Sequence, residues 1–219
     1  MKHEYVSAPG QRAAVDLADF RSCHSEYKYL LVYQDYYSKW VELMPLKTKT
    51  GLEIAKALIE TVFTRYGCCM TLHSDKGKDF VNKIISGVCQ ALGVKKTTTS
   101  GFSPWSNGMV ERSNRTIKSV LKCMGRLDKL DDGEWWEKLP YIRMAINMTP
   151  HSTTGMTPFK VWMSRAADAL MPTDLIYGTG RRDLAPECRT LYVEEQRNKI
   201  AAVFDAVTVS YTHLRAHET

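Results

Sequence analysis

Two stretches decide how this chain folds: HSDKGKDF at residues 73–80 and SPWSNGMVERSNRTIK at residues 103–118. The first places Asp75 in a tight polar turn at the end of a short apolar run. The second places Glu111 in the first turns of a long helix, which the spacing predicts from about Ser106 to Leu127. Between Asp75 and Glu111 lie 35 residues. A third acid, Asp16, lies inside the apolar strand pattern of residues 11–20.

These three carboxylates have the chemistry of a metal site. An acid inside an apolar strand is costly to bury unless it binds something positive, and carboxylate oxygens suit Mg²⁺. Two such ions can serve both the attacking and the leaving oxygen of a phosphoryl transfer. Each acid alone has a simpler explanation: an exposed edge-strand residue, a turn former, or an acid that complements a helix dipole. Their joint order and spacing favour a shared site.

On both sides of these two stretches, the sequence pattern predicts further strands and helices. Strands are predicted at residues 11–20, 28–34, 38–46, 68–73 and 94–98. Helices are predicted at residues 50–66, 80–92, 106–127, 131–148, 158–163 and 187–206. Thr50 is the expected N-cap of the first helix, and Pro140 predicts a kink or a split in the 131–148 helix. The order β-β-β-α-β-α-β predicts a mixed five-stranded sheet with helices packed on it.

The two opening runs resemble the HSD-x-G-x-x-F and HPQSNGQVERFNRTLK signatures of Ty3/gypsy-type retrotransposon integrases, members of the D,D-35-E family. Three further segments are similar to this family: Val15–Leu17 at the first aspartate, Tyr36–Trp40 (D-x-x-S-K-W), and Asn147–Phe159 (N-x-x-x-H-x-x-T-G-x-x-P-F). The resemblance covers roughly residues 11–165. It departs at Ser103 and Trp105, where the family usually has His and Gln, but all three carboxylates are present.

The resemblance implies an RNase H-like α/β fold, a five-stranded mixed sheet with helices on both faces. It also implies a polynucleotidyl transferase and endonuclease: an integrase catalytic core that processes DNA 3′ ends and transfers them to a target strand. Asp16, Asp75 and Glu111 would be both the catalytic residues and the ligands of two Mg²⁺ (or Mn²⁺) ions. The implied partners are the DNA ends of the element, target DNA and further copies of the chain in a homo-oligomer.

Helical spacing places Asn107, Glu111, Asn114, Arg115 and Lys118 on one face of the long helix. We expect Asn107, Asn114, Arg115 and Lys118 to bind DNA, although a solvated face with ordinary charge pairing explains the pattern too. Arg112 and Lys122 point elsewhere on this helix. The loop of residues 101–108 either closes over the scissile phosphate or is an ordinary connection. His73 either supports Asp75 or is a satisfied strand-end histidine. Trp135, Trp136 and Phe159 could stack on bases, but their helical spacing favours packing in the core, and Trp40 is expected to pack there too.

Composition is consistent with a DNA partner. The chain has a net charge of +6, and residues 95–129 hold eight lysines and arginines but only two acids. No apolar run is long enough for a membrane span, the N-terminus lacks a signal-peptide pattern, and no cysteine pair has metal-ligand spacing. These features predict a nuclear or cytoplasmic protein with reduced thiols and no membrane partner.

The expected organisation is an N-terminal lead-in (residues 1–10), a catalytic core (residues 11–165), a loop-rich and helical extension (residues 166–208) and a tail resembling translated adapter sequence (residues 209–219). Neither the zinc-binding domain nor a complete C-terminal DNA-binding domain of full integrases is expected within the chain. Residues beyond about Pro186 are expected to pack poorly against the core.

Two other functions remain open at this point. The same fold could support a ribonuclease H-type nuclease or a cut-and-paste transposase, although the Ser-Asn-Gly-x-x-Glu-Arg run favours an integrase. The chain could instead be a host-adopted, non-enzymatic module that binds DNA or protein partners.

Overall fold

A computed structural model describes residues 6–20, 25–77, 79–98, 112, 114–120, 132–165, 198–207 and 209 of this chain. Five strands form one sheet: β1 Arg12–Asp19, β2 Tyr29–Asp35, β3 Val41–Leu46, β4 Thr71–Ser74 and β5 Lys95–Thr98. Their order across the sheet is β3-β2-β1-β4-β5. Strands β1 to β3 are antiparallel, whereas β4 is parallel to both β1 and β5. The predicted mixed five-stranded sheet is therefore confirmed.

The helices follow the predicted order. They are α1 Gly51–Leu58, α2 Lys83–Ala91, α3 at residues 112 and 114–120, α4 Leu139–Met148, α5 Pro158–Met163 and α6 at residues 198–207. Thr50 caps α1 by accepting a hydrogen bond from Glu53 N, as predicted. Helix α1 continues to Tyr66 through a π-helical turn, Ile59–Phe63, so the single predicted helix has a bulge within it. The split predicted at Pro140 is also present, because a 3₁₀ turn, Asp132–Lys138, leads into α4.

Two hydrophobic cores lie on opposite faces of the sheet, since successive strand residues alternate between them. Ala13 and Val15 of β1 belong to the core that contains residues of α1 and α2. Ala14 and Ala18 belong to the core that contains residues of α3, α4 and α6. Helices on both faces are confirmed.

The prediction for the C-terminal extension is wrong where the structure describes it. In α6, Val203, Phe204, Ala206 and Val207 are buried in the same core as α3 and α4. Residues 200–207 contain an apolar stripe at helical spacing. Packing this stripe in the core stabilises the helix, because it removes apolar surface from water. The part of the predicted 187–206 helix before residue 198 lies outside the described residues.

Glu42 of β3 is a fully buried acid with three donors around it. It accepts hydrogen bonds from Trp40 Nε1 at 3.0 Å, Tyr66 Oη at 2.8 Å and Arg143 of α4 at 2.8 Å. Burial and the Glu42 carboxylate raise the pKa of Tyr66 to about 12, so the phenol remains a donor. This network ties the sheet to the end of the α1 segment and to α4.

We expect Arg143→Ala to destabilise the fold by about 2 kcal/mol, because it removes a hydrogen bond from a cation to a buried carboxylate. Urea unfolding followed by circular dichroism measures the change. The matched control is Lys47→Ala, which breaks the ion pair between Lys47 and Glu26. The side chains of these two residues are 57% and 53% exposed. That variant should unfold close to wild type, since exposed pairs contribute little. Equal midpoints for both variants would show that the Glu42 network does not stabilise the fold.

Candidate active site

Asp16 lies on β1, half-buried, on the sheet face that packs against α3. Its Oδ1 accepts a hydrogen bond from Leu17 N at 2.9 Å. Its Oδ2 accepts one from Asn114 Nδ2 of α3 at 2.7 Å. Two donors therefore orient this carboxylate, one from its own strand and one from a helix 98 residues later in the sequence.

Asp75 directly follows β4 and is also half-buried. Its Oδ1 accepts a hydrogen bond from Gly77 N at 2.9 Å, which makes the Asp-x-Gly turn. A Cβ atom at residue 77 would lie 2.8 Å from that same oxygen. Glycine is therefore required at position 77 if the Asp75 carboxylate is to keep its orientation.

The parallel pairing of β1 and β4 relates the two aspartates. Ala14 pairs with His73, the last pair of this ladder, and Asp16 and Asp75 each lie two residues further along. Side chains two residues apart on a strand share a face, and neighbouring strands lie about 4.8 Å apart. The backbone ladder ends at the Ala14–His73 pair, so both acids come after the point where it ends. The register relates the positions of the two acids, and the convergence of their carboxyl groups stays a prediction.

The third carboxylate, Glu111, lies outside the described residues, as do Asn107, Lys122 and the 101–108 loop. Asn114, three positions after Glu111 in the sequence, is 9% exposed and turned towards Asp16. Its Oδ1 is buried with no hydrogen-bond partner in the part of the chain that the structure describes. The sequence analysis did not predict that Asn114 orients Asp16. Its i+3 spacing from Glu111, which places both residues on one helix face, could have indicated this role.

Arg115 and Lys118 are exposed on α3. The Lys118 ammonium lies 5.7 Å from the centroid of the Phe20 ring, which follows β1. Asn114 contacts Asp16, and Lys118 lies near Phe20. Helix α3 therefore runs along one face of β1 in the direction of the strand. The cation lies about one helical turn, roughly 6 Å, beyond the residue that contacts Asp16.

His73 is buried on β4 and its Nδ1 pairs with Thr97 Oγ1 of β5 at 3.0 Å. Burial, with a smaller effect from Arg12, lowers its pKa, so the ring is neutral at neutral pH. Of the two interpretations of the sequence, these contacts favour the satisfied strand-end histidine. Trp40 and Trp135 pack in the core, as expected: Trp135 stacks on Phe20 with ring centroids 4.3 Å apart.

The donor set fits a hard divalent cation. Asp16 and Asp75 offer carboxylate oxygens, the ligands that Mg²⁺ prefers, and both acids are only half-buried. Among residues 6–20, 25–77, 79–98 and the later described segments, no three His, Cys, Asp or Glu side chains cluster as metal ligands. Glu111, the proposed third ligand, is not among those residues.

Comparison with known proteins agrees with the resemblance of the sequence motifs to integrases. Residues 6–104 match a family model described as the integrase core domain. The chain is 35% identical over 155 residues to the Gag-Pol polyprotein of avian reticuloendotheliosis virus, covering 71% of the chain and 13% of that protein. It is 36% identical over 155 residues to the Gag-Pol polyprotein of feline leukemia virus, covering 70% and 9%.

Residues 6–104 are thus similar to the integrase core domain. The domain is homologous to retroviral integrases, which are polynucleotidyl transferases. Both of these relatives are retroviral polyproteins, and the chain spans only about a tenth of their length.

Comparison with solved structures confirms the fold. The magnesium-bound, trimeric form of the HTLV-2 integrase catalytic core domain superposes with a TM-score of 0.57 at 20% identity, covering 71% of this chain and 97% of that one. The catalytic core domain of BIV integrase superposes with a TM-score of 0.56 at 24% identity, covering 71% and 95%. Such catalytic cores have the RNase H-like fold. In the described segments, no helix has the length and apolar character of a membrane span.

We expect Gly77→Ala to weaken Mg²⁺ binding about tenfold, as disturbing the support of a metal ligand commonly does. The added Cβ would displace the Asp75 carboxylate from its turn. Calorimetric titration of Mg²⁺ or Mn²⁺ measures the loss. Gly87→Ala is the matched control, since a Cβ there meets no atom within 4 Å and alanine favours the α2 helix. Unchanged metal affinity in Gly77→Ala would contradict a ligand role for Asp75.

Proposed function

We propose that this chain is the catalytic core of an integrase that performs metal-dependent 3′-end processing and strand transfer of DNA. The observation that carries the proposal is the pairing of β1 with β4, because it relates Asp16 and Asp75 on one sheet face. Asn114, which follows Glu111 by three residues, contacts the first of these acids. The HTLV-2 integrase catalytic core domain is in complex with magnesium in its solved structure, which supports the choice of ion.

In this proposal Asp16, Asp75 and Glu111 hold two Mg²⁺ or Mn²⁺ ions. When bound, such a pair of ions stabilises both the attacking and the leaving oxygen of a phosphoryl transfer. The residues of the chain position the ligands: Asn114 and Leu17 N orient Asp16, and the Gly77 turn orients Asp75. The half-buried placement of both acids leaves them accessible to a DNA phosphate from the solvent side.

The DNA partners are proposed to be the ends of a mobile element and a target duplex. Asn107, Asn114, Arg115 and Lys118 remain the proposed contacts, with Asn114 acting chiefly through Asp16. A Ty3/gypsy-type element is the narrower proposal from the sequence motifs, whereas the relatives compared above are retroviral. An assembly of at least two copies is proposed by analogy with the dimeric and trimeric forms of the HTLV-2 catalytic core.

The activity can be tested on a branched DNA whose resolution is the reverse of end joining and needs no cognate end sequence. We expect wild type to resolve it only with Mg²⁺ or Mn²⁺. Asp75→Asn should lower the rate at least about 100-fold, because losing a ligand exceeds the 10–100-fold effect of losing its support. The unfolding midpoint should stay near wild type, which separates chemistry from folding.

The alternatives give different results in the same assay series. Cleavage of an RNA–DNA hybrid without resolution of the branched DNA would indicate a ribonuclease H-type nuclease. DNA binding without any metal-dependent reaction would indicate a non-enzymatic module. Either result would overturn the proposed function.

Lys118→Glu should reduce DNA joining severely while leaving the fold and Mg²⁺ affinity largely intact. Its ammonium extends along the Asp16 face of β1 towards Phe20, where it can hold a phosphate beside the one being cut. In Lys118→Ala, the slope of log affinity against log salt should fall by about 1, the loss of one phosphate contact.

The matched control for Lys118 is Lys56→Ala. Lys56 is exposed on α1, which packs against the opposite face of the sheet. If the Lys118 and Lys56 variants bind DNA alike across salt concentrations, the exposed face of α3 is an ordinary solvated surface. That result would not contradict the proposed metal site.

A further inference from the structure

A cavity of about 280 Å³ lies at the end of the sheet away from Asp75. It is bordered by residues 9–11, which lead into β1, by residues 67–70, which lead into β4, and by Trp162 of α5. Because β1 and β4 are parallel, both segments lie where these strands begin, whereas Asp75 follows the far end of β4. We call this space the Trp162 cavity.

The backbone around the Trp162 cavity is held by hydrogen bonds within the protein. Gly10 N donates to Asp35 Oδ1 at 2.9 Å, and Gly10 O accepts from Met70 N at 2.8 Å. Gly67 N donates to Phe63 O at 3.1 Å. A Cβ atom on Gly10 or Gly67 would meet no other atom within 4 Å, so both glycines border open space. The cavity is therefore formed before any ligand arrives, as in most small-molecule sites.

Three aromatic rings line the Trp162 cavity: Tyr33, Tyr66 and Trp162. The rings of Tyr66 and Trp162 meet edge to face, with centroids 5.9 Å apart and an angle of 87° between their planes. Tyr66 Oη donates to Glu42 at 2.8 Å, and Trp162 stacks on Trp40 with centroids 6.2 Å apart, so both rings are held in place. A further ring could stack on one of them and meet the edge of the other.

The lining of the Trp162 cavity carries no fixed charge. Among the described residues that border it, none is a lysine, an arginine, an aspartate or a glutamate. Burial raises the pKa of Tyr66 and of Cys69 to about 12 and raises that of Tyr33 as well, so these groups are uncharged at neutral pH. An ionised ligand would be left without a partner for its charge, which is costly. Met70 also lines the cavity, is 66% exposed, and offers a flexible thioether that packs well against rings.

We propose that the Trp162 cavity binds a small, neutral aromatic molecule no larger than about two fused rings. The volume sets the size, since small-molecule pockets span roughly 300–1,000 Å³ and this one lies at the lower end. The uncharged lining sets the charge, and the edge-to-face pair of Tyr66 and Trp162 sets the preference for a ring. Such binding is independent of the proposed function, because none of the described lining residues is a proposed metal ligand or DNA contact.

Indole is the probe, and the methionine methyl groups report its binding by NMR. The full chain, labelled with carbon-13 at these methyls, is titrated with indole in EDTA. We expect the Met70 resonance to shift and to saturate at roughly millimolar indole, the affinity expected of so few atoms. Met163 is the internal control, because it is 37% exposed and adjoins Trp162 in the sequence but does not line the cavity. Equal shifts of both methyls would indicate unspecific adsorption and overturn the proposal.

Charged analogues of indole test the uncharged lining. Indole-3-acetate and tryptamine carry the same rings with a negative or a positive charge. We expect each to bind at least about tenfold more weakly than indole, because the cavity offers neither charge a partner. An ion that binds as tightly as indole would contradict a site for neutral molecules.

Two changes to the cavity should weaken indole binding. Trp162→Leu removes one aromatic wall and should raise the dissociation constant at least about fivefold, whereas the matched change Met163→Leu should leave it unchanged. Alkylation of the exposed Cys68 with N-phenylmaleimide adds a ring at the cavity without changing α5, and it should abolish the Met70 response. Cys68→Ser treated in the same way should still respond, which accounts for the other cysteines. Unchanged indole affinity after both changes would show that indole binds elsewhere.

A final titration separates a free aromatic molecule from the side chain of a partner protein. N-acetyltryptophanamide carries the indole ring on a peptide backbone, which would have to remain outside a cavity of about 280 Å³. We expect it to bind more weakly than indole, since the backbone limits how far the ring can enter. Tighter binding would identify a pocket for a protein side chain and overturn the proposal.

Discussion

The parallel pairing of β1 with β4 is the contact on which the rest of this molecule depends. β1 is the central strand, covered by a hydrophobic core on each face. An acid in such a strand can be accommodated only where the ladder ends and a donor or cation is near. The pairing with β4 meets this condition at Asp16, because the ladder stops at Ala14 and His73 and Asn114 reaches the carboxylate from α3.

Buried polar groups then fix the elements around that strand. The Asn147 side chain of α4 accepts from Val41 N and donates to Val41 O, so it satisfies backbone groups of the edge strand β3. Glu42, one residue later, joins the same strand to Arg143 of α4. Asp35 shapes the intervening turn and thereby sets the backbone of Lys39. One face of α4 and one turn thus hold the edge strand β3 in place.

The charge distribution follows from this framework. Asp16 lies within β1 and Asp75 directly follows β4, whereas α3 carries the exposed cations Arg112, Arg115 and Lys118. A polyanion that reaches the carboxylates would meet these cations on α3.

Local sequence determined the strands, the Thr50 cap, the split at Pro140 and the candidate acids Asp16 and Asp75, because period, caps and turns are properties of neighbouring residues. The tertiary structure decided what depends on distant partners: the contact of Asn114 with Asp16 and that of Arg143 with Glu42. It also decided that α6 packs in the core, since an apolar stripe shows that a helix needs a partner but not which surface supplies it. Long-range contacts depend on the packing of whole elements, which no single stretch of sequence encodes.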